Sequence, residues 1–258
     1  MGTRLLLVAS LLVAACGVAA VMLHRSPGQS RFRDAAQWLV SQGACEMAFE
    51  PDGALPPPHV VSDYAQRRTR VTFRGRDGDN IELVSTGDDL YVRRAGSGTW
   101  VKVVGPRAGE AAIGSLSDAD AVLQRLSSAH QLRDAGPYFV DEPVELYAAT
   151  DAVDDLAPEG TMIRRLLDDQ ESQYSATFTT EDFEIALTQD GAVRRLRGIT
   201  NGTYAAGGNF TTDNKATFAR CDSSLSVSLP SADEITQTMN VTTADSLTAT
   251  ISAAASSH

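Results

Sequence analysis

Between Val71 and Val104 the chain alternates apolar and polar side chains with period two, interrupted by three turns rich in glycine and aspartate. Val71 and Phe73 alternate with Thr72 and Arg74, and Ile81 and Leu83 with Glu82 and Val84. The stretches Gly75-Arg76-Asp77-Gly78, Thr86-Gly87-Asp88-Asp89 and Ala95-Gly96-Ser97-Gly98 separate four short strands. Successive side chains of a strand point to opposite faces, so the pattern predicts an antiparallel meander with one face turned inward. Such a meander is a wall that carries no reacting groups of its own. A second antiparallel run is expected at Tyr174–Phe178, Phe183–Leu187 and Val193–Ile199, with Asp190-Gly191 in a tight hairpin turn. Strands at Cys45–Phe49, Val144–Ala148, Thr217–Cys221 and Leu225–Leu229 complete the sheet, and Pro230 stops it.

Helical spacing is seen at Asp34–Ser41, where Ala35, Trp38 and Leu39 share a face, and at Ser117–His130, opened by Ser117 with Asp120. A short helix is expected at Met162–Leu167, with Gly105–Gly114 as a break and Asp151–Pro158 as an acidic loop or short turn. The domain organisation is then a signal or anchor at 1–25, a polar linker at 26–33, one globular domain at 34–235 and a poorly ordered tail at 236–258. The tail is assigned on its run of Thr, Ser and Ala with few large apolar groups.

The N-terminal segment places the domain outside the cytoplasm. Arg4 precedes an apolar run, Leu5–Ala15, of signal-peptide length, and Val13-Ala14-Ala15-Cys16 resembles the bacterial lipobox, whose cysteine becomes lipidated. The apolar character continues from Gly17 to Leu23, and Leu5–Leu23 would extend roughly 28 Å as a helix, enough to span a bilayer. A lipidated Cys16 and a spanning helix both anchor the rest of the chain to the outer face of the cell membrane. In an exported protein Cys45 and Cys221, near the two ends of the domain, make a natural disulfide, the alternative being two unrelated buried thiols.

A formal charge of −11, with acids and bases interspersed, argues against a nucleic-acid partner. The four histidines, His24, His59, His130 and His258, are scattered and never at the i, i+4 spacing of a metal-binding helix. Gly96-Ser97-Gly98 reads as a hairpin turn rather than a nucleophile elbow, and Asp154-Asp155 and Asp168-Asp169 as solvated surface. No glycine-rich phosphate loop leads into a helix. No active site, cofactor or metal is expected.

What remains is a curved wall with helices to cover it. Alternation assigns Val71, Phe73, Ile81, Leu83, Leu90 and Val92, with Phe183, Ile185 and Leu187 from the second run, to its inner face. These nine serve equally as a packed core and as the lining of a ligand cavity.

The order of elements adds a resemblance. Leu90-Tyr91-Val92 is followed by Trp100-Val101-Lys102-Val103, a helix opens near Ser117, and a strand Val144-Glu145-Leu146-Tyr147 follows. The edge Phe183–Leu196 carries the Asp190-Gly191 turn, and the last strand runs into Ser228-Leu229-Pro230. From Phe32 to Ile235 this pattern resembles the LppX/LprG family of actinobacterial lipoproteins, itself similar to LolA-type periplasmic carriers. The resemblance implies an α+β fold, a curved antiparallel half-barrel with helices covering its concave side. It also implies a cavity holding the acyl chains of lipids or glycolipids, with the nine inward residues as lipid-binding candidates and no enzymatic activity. The competing expectation is an envelope adaptor, a half-barrel with a closed core that binds another protein. An exported hydrolase, its site assembled across loops, is the third.

Overall fold

The computed structural model describes residues 27–49, 57–74, 78, 80–129 and 132–256. The signal or anchor segment and Cys16 lie outside them. Among the described residues no helix is long and apolar enough to cross a membrane.

The described residues open with α1 (Pro27–Gln42), followed by β1 (Ala44–Phe49) and β2 (His59–Asp63). The meander is β3 (Arg68–Arg74), β4 (Asn80–Ser85), β5 (Asp89–Arg94) and β6 (Trp100–Val104). Helices α2 (Ala108–Ile113) and α3 (Ala119–Ser128) lead to β7 (Arg133–Phe139) and β8 (Pro143–Ala152). Then come α4 (Val153–Leu156), α5 (Met162–Tyr174), β9 (Ala176–Leu187), β10 (Val193–Tyr204) and β11 (Asn209–Asp222). The chain closes with β12 (Ile235–Asn240) and α6 (Ala244–Ser256).

All twelve strands belong to one open sheet in the order β12-β6-β5-β4-β3-β2-β1-β11-β10-β9-β8-β7. Every pairing is antiparallel except that of β12 with β6, which is parallel. The fold is therefore α+β, a half-barrel whose two edges do not meet. Its two halves, β1–β6 and β7–β11, are joined along β1 and β11, where Cys45 lies directly opposite Cys221 and is disulfide-bonded to it.

Register explains the core. Val60, Val71, Leu83, Val92 and Val101 stand opposite one another across five adjacent strands. In the other half Tyr147, Ile185, Leu196 and Ala216 form the corresponding row. Helix α1 lays Phe32, Ala35 and Leu39 onto this face at helical spacing, all buried. One row is polar instead: Ser62, Thr69 and Ser85 are paired across β2, β3 and β4. They seat α3. Ser62 Oγ donates to the Ser117 carbonyl (2.6 Å), the Ala119 N–H donates to Thr69 Oγ1 (2.8 Å), and Ser85 Oγ donates to Asp118 Oδ2 (2.6 Å). Asp118 is the N-cap, its Oδ1 accepting from the Ala121 N–H. The expected cap, Ser117, instead supplies the carbonyl that anchors the turn.

Four expectations are corrected. The supposed linker 26–33 is largely the start of α1. Pro27 suits a first helical turn, and Phe32 has a core to bury into. The supposed disordered tail 236–258 forms β12 and α6, because the edge of β6 supplies the hydrogen bonds and Val241 and Leu247 reach the core. Leu225–Leu229 is not a strand of the sheet. It crosses the convex side, where Val227 packs with Val61, Val84, Tyr91 and Trp100, and carries the chain round to the β6 edge. Arg70 Nη2 donates to the Ser226 carbonyl (2.7 Å) beneath this strap. Finally, Gly105–Gly114 is not a plain break but contains α2. Gly109 approaches the sheet so closely that a Cβ there would fall 1.9 Å from Ser85 Oγ.

Candidate functional site

The inward positions of β9, β10 and β11 change character along their length. Near one end they are Ile185, Leu187, Val193, Leu196 and Phe218, all buried and apolar. Two and four residues away they are Glu181, Gly198, Thr200 and Asn214, small or polar, with Gly198 opposite both Phe183 and Asn214. A glycine in a strand removes the side chain that would otherwise meet the covering layer. Here the helices do not close onto the sheet, and a cleft of about 490 Å³ remains. Those four residues line it from below, Leu116, Ala121 and Arg125 from the α3 side, and Ile163, Leu166 and Leu167 from α5. The short helix α4 adds Val153 and Leu156. On the other side of α3 a second cleft of about 720 Å³ separates it from α1, with Phe32, Ala36 and Val40 facing Leu123, Leu126 and Ala129. Helix α3 is thus a partition between two clefts whose walls mix apolar with polar and charged side chains.

The first cleft carries two ion pairs. Arg125, only 5 % exposed, donates from Nη1 to Glu181 Oε1 at 2.8 Å, and its guanidinium lies 4.8 Å from the centre of the buried Phe183 ring. Arg107 meets Glu110 Oε2 at 2.5 Å and donates from Nη1 to the Leu156 carbonyl (2.6 Å), tying α2 to α4. Arg164 of α5 binds Asp168 at 2.7 Å, Glu171 at 3.0 Å and Asp154 at 3.1 Å, which holds α4 against α5.

Burial raises the Glu110 carboxyl from 4.5 to about 7; Arg107 and Arg125 pull it down, Asp118 pushes it further up, and burial outweighs the two guanidiniums. The folded state therefore keeps a proton on Glu110 that the unfolded chain loses at lower pH. This contribution is complete below about pH 4.5 and is lost as pH rises through about 7. Compared with Glu110→Gln, the wild type should lose on the order of 3 kcal/mol between pH 4.5 and pH 8. Urea unfolding of both proteins at pH 4.5, 6.5 and 8 measures it, and parallel pH profiles would contradict the assignment.

All nine inward residues expected from alternation do lie on the helix-covered face, in one contiguous core with Phe73 half-buried at its border. None of them lines either cleft. Eight of the nine are buried, Leu83 at 1 % exposure, and Phe73 is partly buried. The clefts lie beyond them, along α3 and over the far end of β9–β11. Two sequence signals point there: Gly198 inside an otherwise alternating strand, and Ile163-Leu166-Leu167 at helical spacing. Among the described residues no group of three His, Cys, Asp or Glu is placed to hold a metal ion. Of the ionisable groups lining the first cleft, Arg125 pairs with Glu181 and Arg107 with Glu110.

The fold and its clefts define an open half-barrel with a ligand-sized space under its helices. No family model matches the chain. No curated protein matches it. Among solved structures it is similar to lipoprotein LppX of Mycobacterium tuberculosis, at 14 % identity and a TM-score of 0.43, over 78 % of this chain and 97 % of that one. It is also similar to an uncharacterised conserved protein from Thermus thermophilus, at 11 % identity and a TM-score of 0.35, over 78 % of this chain and 98 % of the other. The fold class rests on strand order and register, and the function on the clefts.

Proposed function

We propose that this chain is an exported, membrane-anchored protein without catalytic chemistry that binds the acyl chains of a lipid or glycolipid and passes them on. The observation that carries this reading is the pair of clefts flanking α3, about 490 and 720 Å³, both within the size range of small-molecule sites. The apolar N-terminal segment and the Cys45–Cys221 disulfide accord with an oxidising compartment outside the cytoplasm. Each methylene taken out of water contributes about 0.8 kcal/mol, so the part of an acyl chain lying against Leu116, Ile163 and Leu166 is held without any polar contact. Helix α3 is pinned at its N-terminal end by Asp118, Ser85 and Thr69. Outward movement of its other end would join the two clefts and admit a longer chain.

The test is mass spectrometry of organic extracts from the purified protein, together with two cleft-filling variants, Ala36→Trp and Ile163→Trp. Lipid should be present in the wild type and reduced in each variant, with the fold retained. Leu83→Trp is the contrast: it overfills a closed core and should destabilise by about 1–3 kcal/mol without selectively displacing lipid. Extracts free of lipid from all four proteins would favour the second reading, an envelope adaptor. That reading draws on the solid packing of the nine inward residues and on Tyr138 and Phe139, 47 % and 65 % exposed on the edge strand β7.

A further inference from the structure

Arg125 is the one charged side chain in the covering layer, among the described residues, that is both buried and incompletely hydrogen-bonded. It lines the first cleft from α3. Nη1 is engaged by Glu181, but Nε and Nη2 have no hydrogen-bond partner and are shut off from solvent. Leaving a buried donor unpaired costs about 1–3 kcal/mol, and more when the group is charged. Stacking on Phe183 satisfies the face of the guanidinium and none of its N–H bonds. The cleft therefore holds unused donors whose positive charge is already balanced by Glu181. Around them stand Glu110, paired with Arg107, and Asp155 at the rim.

We propose that Arg125 is the polar anchor of the cleft, donating Nε–H and Nη2–H to an uncharged oxygen of the ligand, such as an ester carbonyl. The neighbouring carboxylates turn away an ionised head. A turn of the side chain brings the two nitrogens to the cleft, where the bound oxygen replaces the missing acceptor. An uncharged oxygen gains these hydrogen bonds in full. A carboxylate or phosphate would meet Glu181 and Asp155 as well, and like charges repel. The inference rests on the lipid-binding reading and adds to it a residue that selects between ligands of equal chain length.

The experiment uses the delipidated full chain at pH 8 and measures displacement of an alkyl-pyrene probe by monolaurin, laurate and dodecane. Wild type should bind monolaurin about tenfold more tightly than either laurate or dodecane. Arg125→Lys keeps a cation for Glu181 but loses the forked donors, and should bring monolaurin down to the level of dodecane. Glu181→Gln removes the repelling carboxylate and should raise laurate affinity about tenfold, which provides a reading even if the lysine variant folds poorly. Equal binding of laurate and monolaurin by the wild type, or unchanged monolaurin binding by Arg125→Lys, overturns the anchor while lipid binding stands. Failure of the wild type to take up the alkyl-pyrene probe overturns lipid binding itself, and the anchor with it.

Discussion

Replacing Cys45 and Cys221 together by alanine, or reducing the bridge, should lower the unfolding free energy by up to about 5 kcal/mol. The bond links residues 176 apart in sequence, and chain-entropy arguments assign a large loss of unfolded-state freedom to so long a loop. Its position adds to the effect. β1 and β11 form the hydrogen-bonded seam between the two halves of the sheet, running from Ala44 opposite Asp222 to Phe49 opposite Ala216. Without the bridge this seam relies on its ladder and on contacts such as Tyr64 with Phe218, whose ring centres are 6.2 Å apart. Urea unfolding with and without reductant measures the change. The reduced protein should show a lower midpoint and a steeper slope, because its unfolded state is less compact. Coincident curves would show that the bridge contributes no stability.

Phe183→Ala should cost about 3–5 kcal/mol, the range for removing a large buried aromatic ring. Phe183 is fully buried and touches both layers: Phe32 of α1 meets it edge-on at 6.1 Å, and the Arg125 guanidinium lies above it. The substitution leaves a void beneath α3 and strips Arg125 of its stacking partner. Phe139→Ala, on the exposed edge strand β7, should change stability by less than about 0.5 kcal/mol and serves as the comparison. A loss below about 1 kcal/mol at Phe183 would show that the ring is not part of a packed core.

These effects mark where the sequence was legible. The meander β3–β6 could be read because β3 and the first part of β4 alternate, β5 and β6 are short apolar runs, and each turn between them carries glycine or aspartate. β9 was harder. Thr179-Thr180-Glu181-Asp182 breaks the apolar alternation and suggests two strands, yet pairing with β10 on one side and β8 on the other carries a single strand through it. The inward Glu181 that interrupts the pattern belongs to the cleft. β7 was hidden by Gly136 and Pro137, tolerated there because β7 lies at the edge of the sheet. β12 has little strand character of its own and forms against an edge supplied from more than 130 residues earlier, Ile235 lying opposite Trp100. The clefts were least legible of all. They arise from a side chain that is absent, at Gly198, and from helices that converge from distant parts of the chain.

The place of α1 in the architecture has a consequence for delivery. This helix begins at Pro27 and also forms a wall of the larger cleft. If the anchor is a lipid on Cys16, the 10 residues 17–26 would link it to the helix. Fully extended they reach about 35 Å, close to the diameter of a domain of this size. Under that anchoring, a link this short would keep the cleft wall within about one domain width of the membrane surface. Exchange between membrane and cleft would then be governed by a local concentration of roughly millimolar order, set by tether length, rather than by how much protein the envelope contains. Lengthening residues 17–26 with a flexible insert would dilute that encounter without touching a single residue of the clefts.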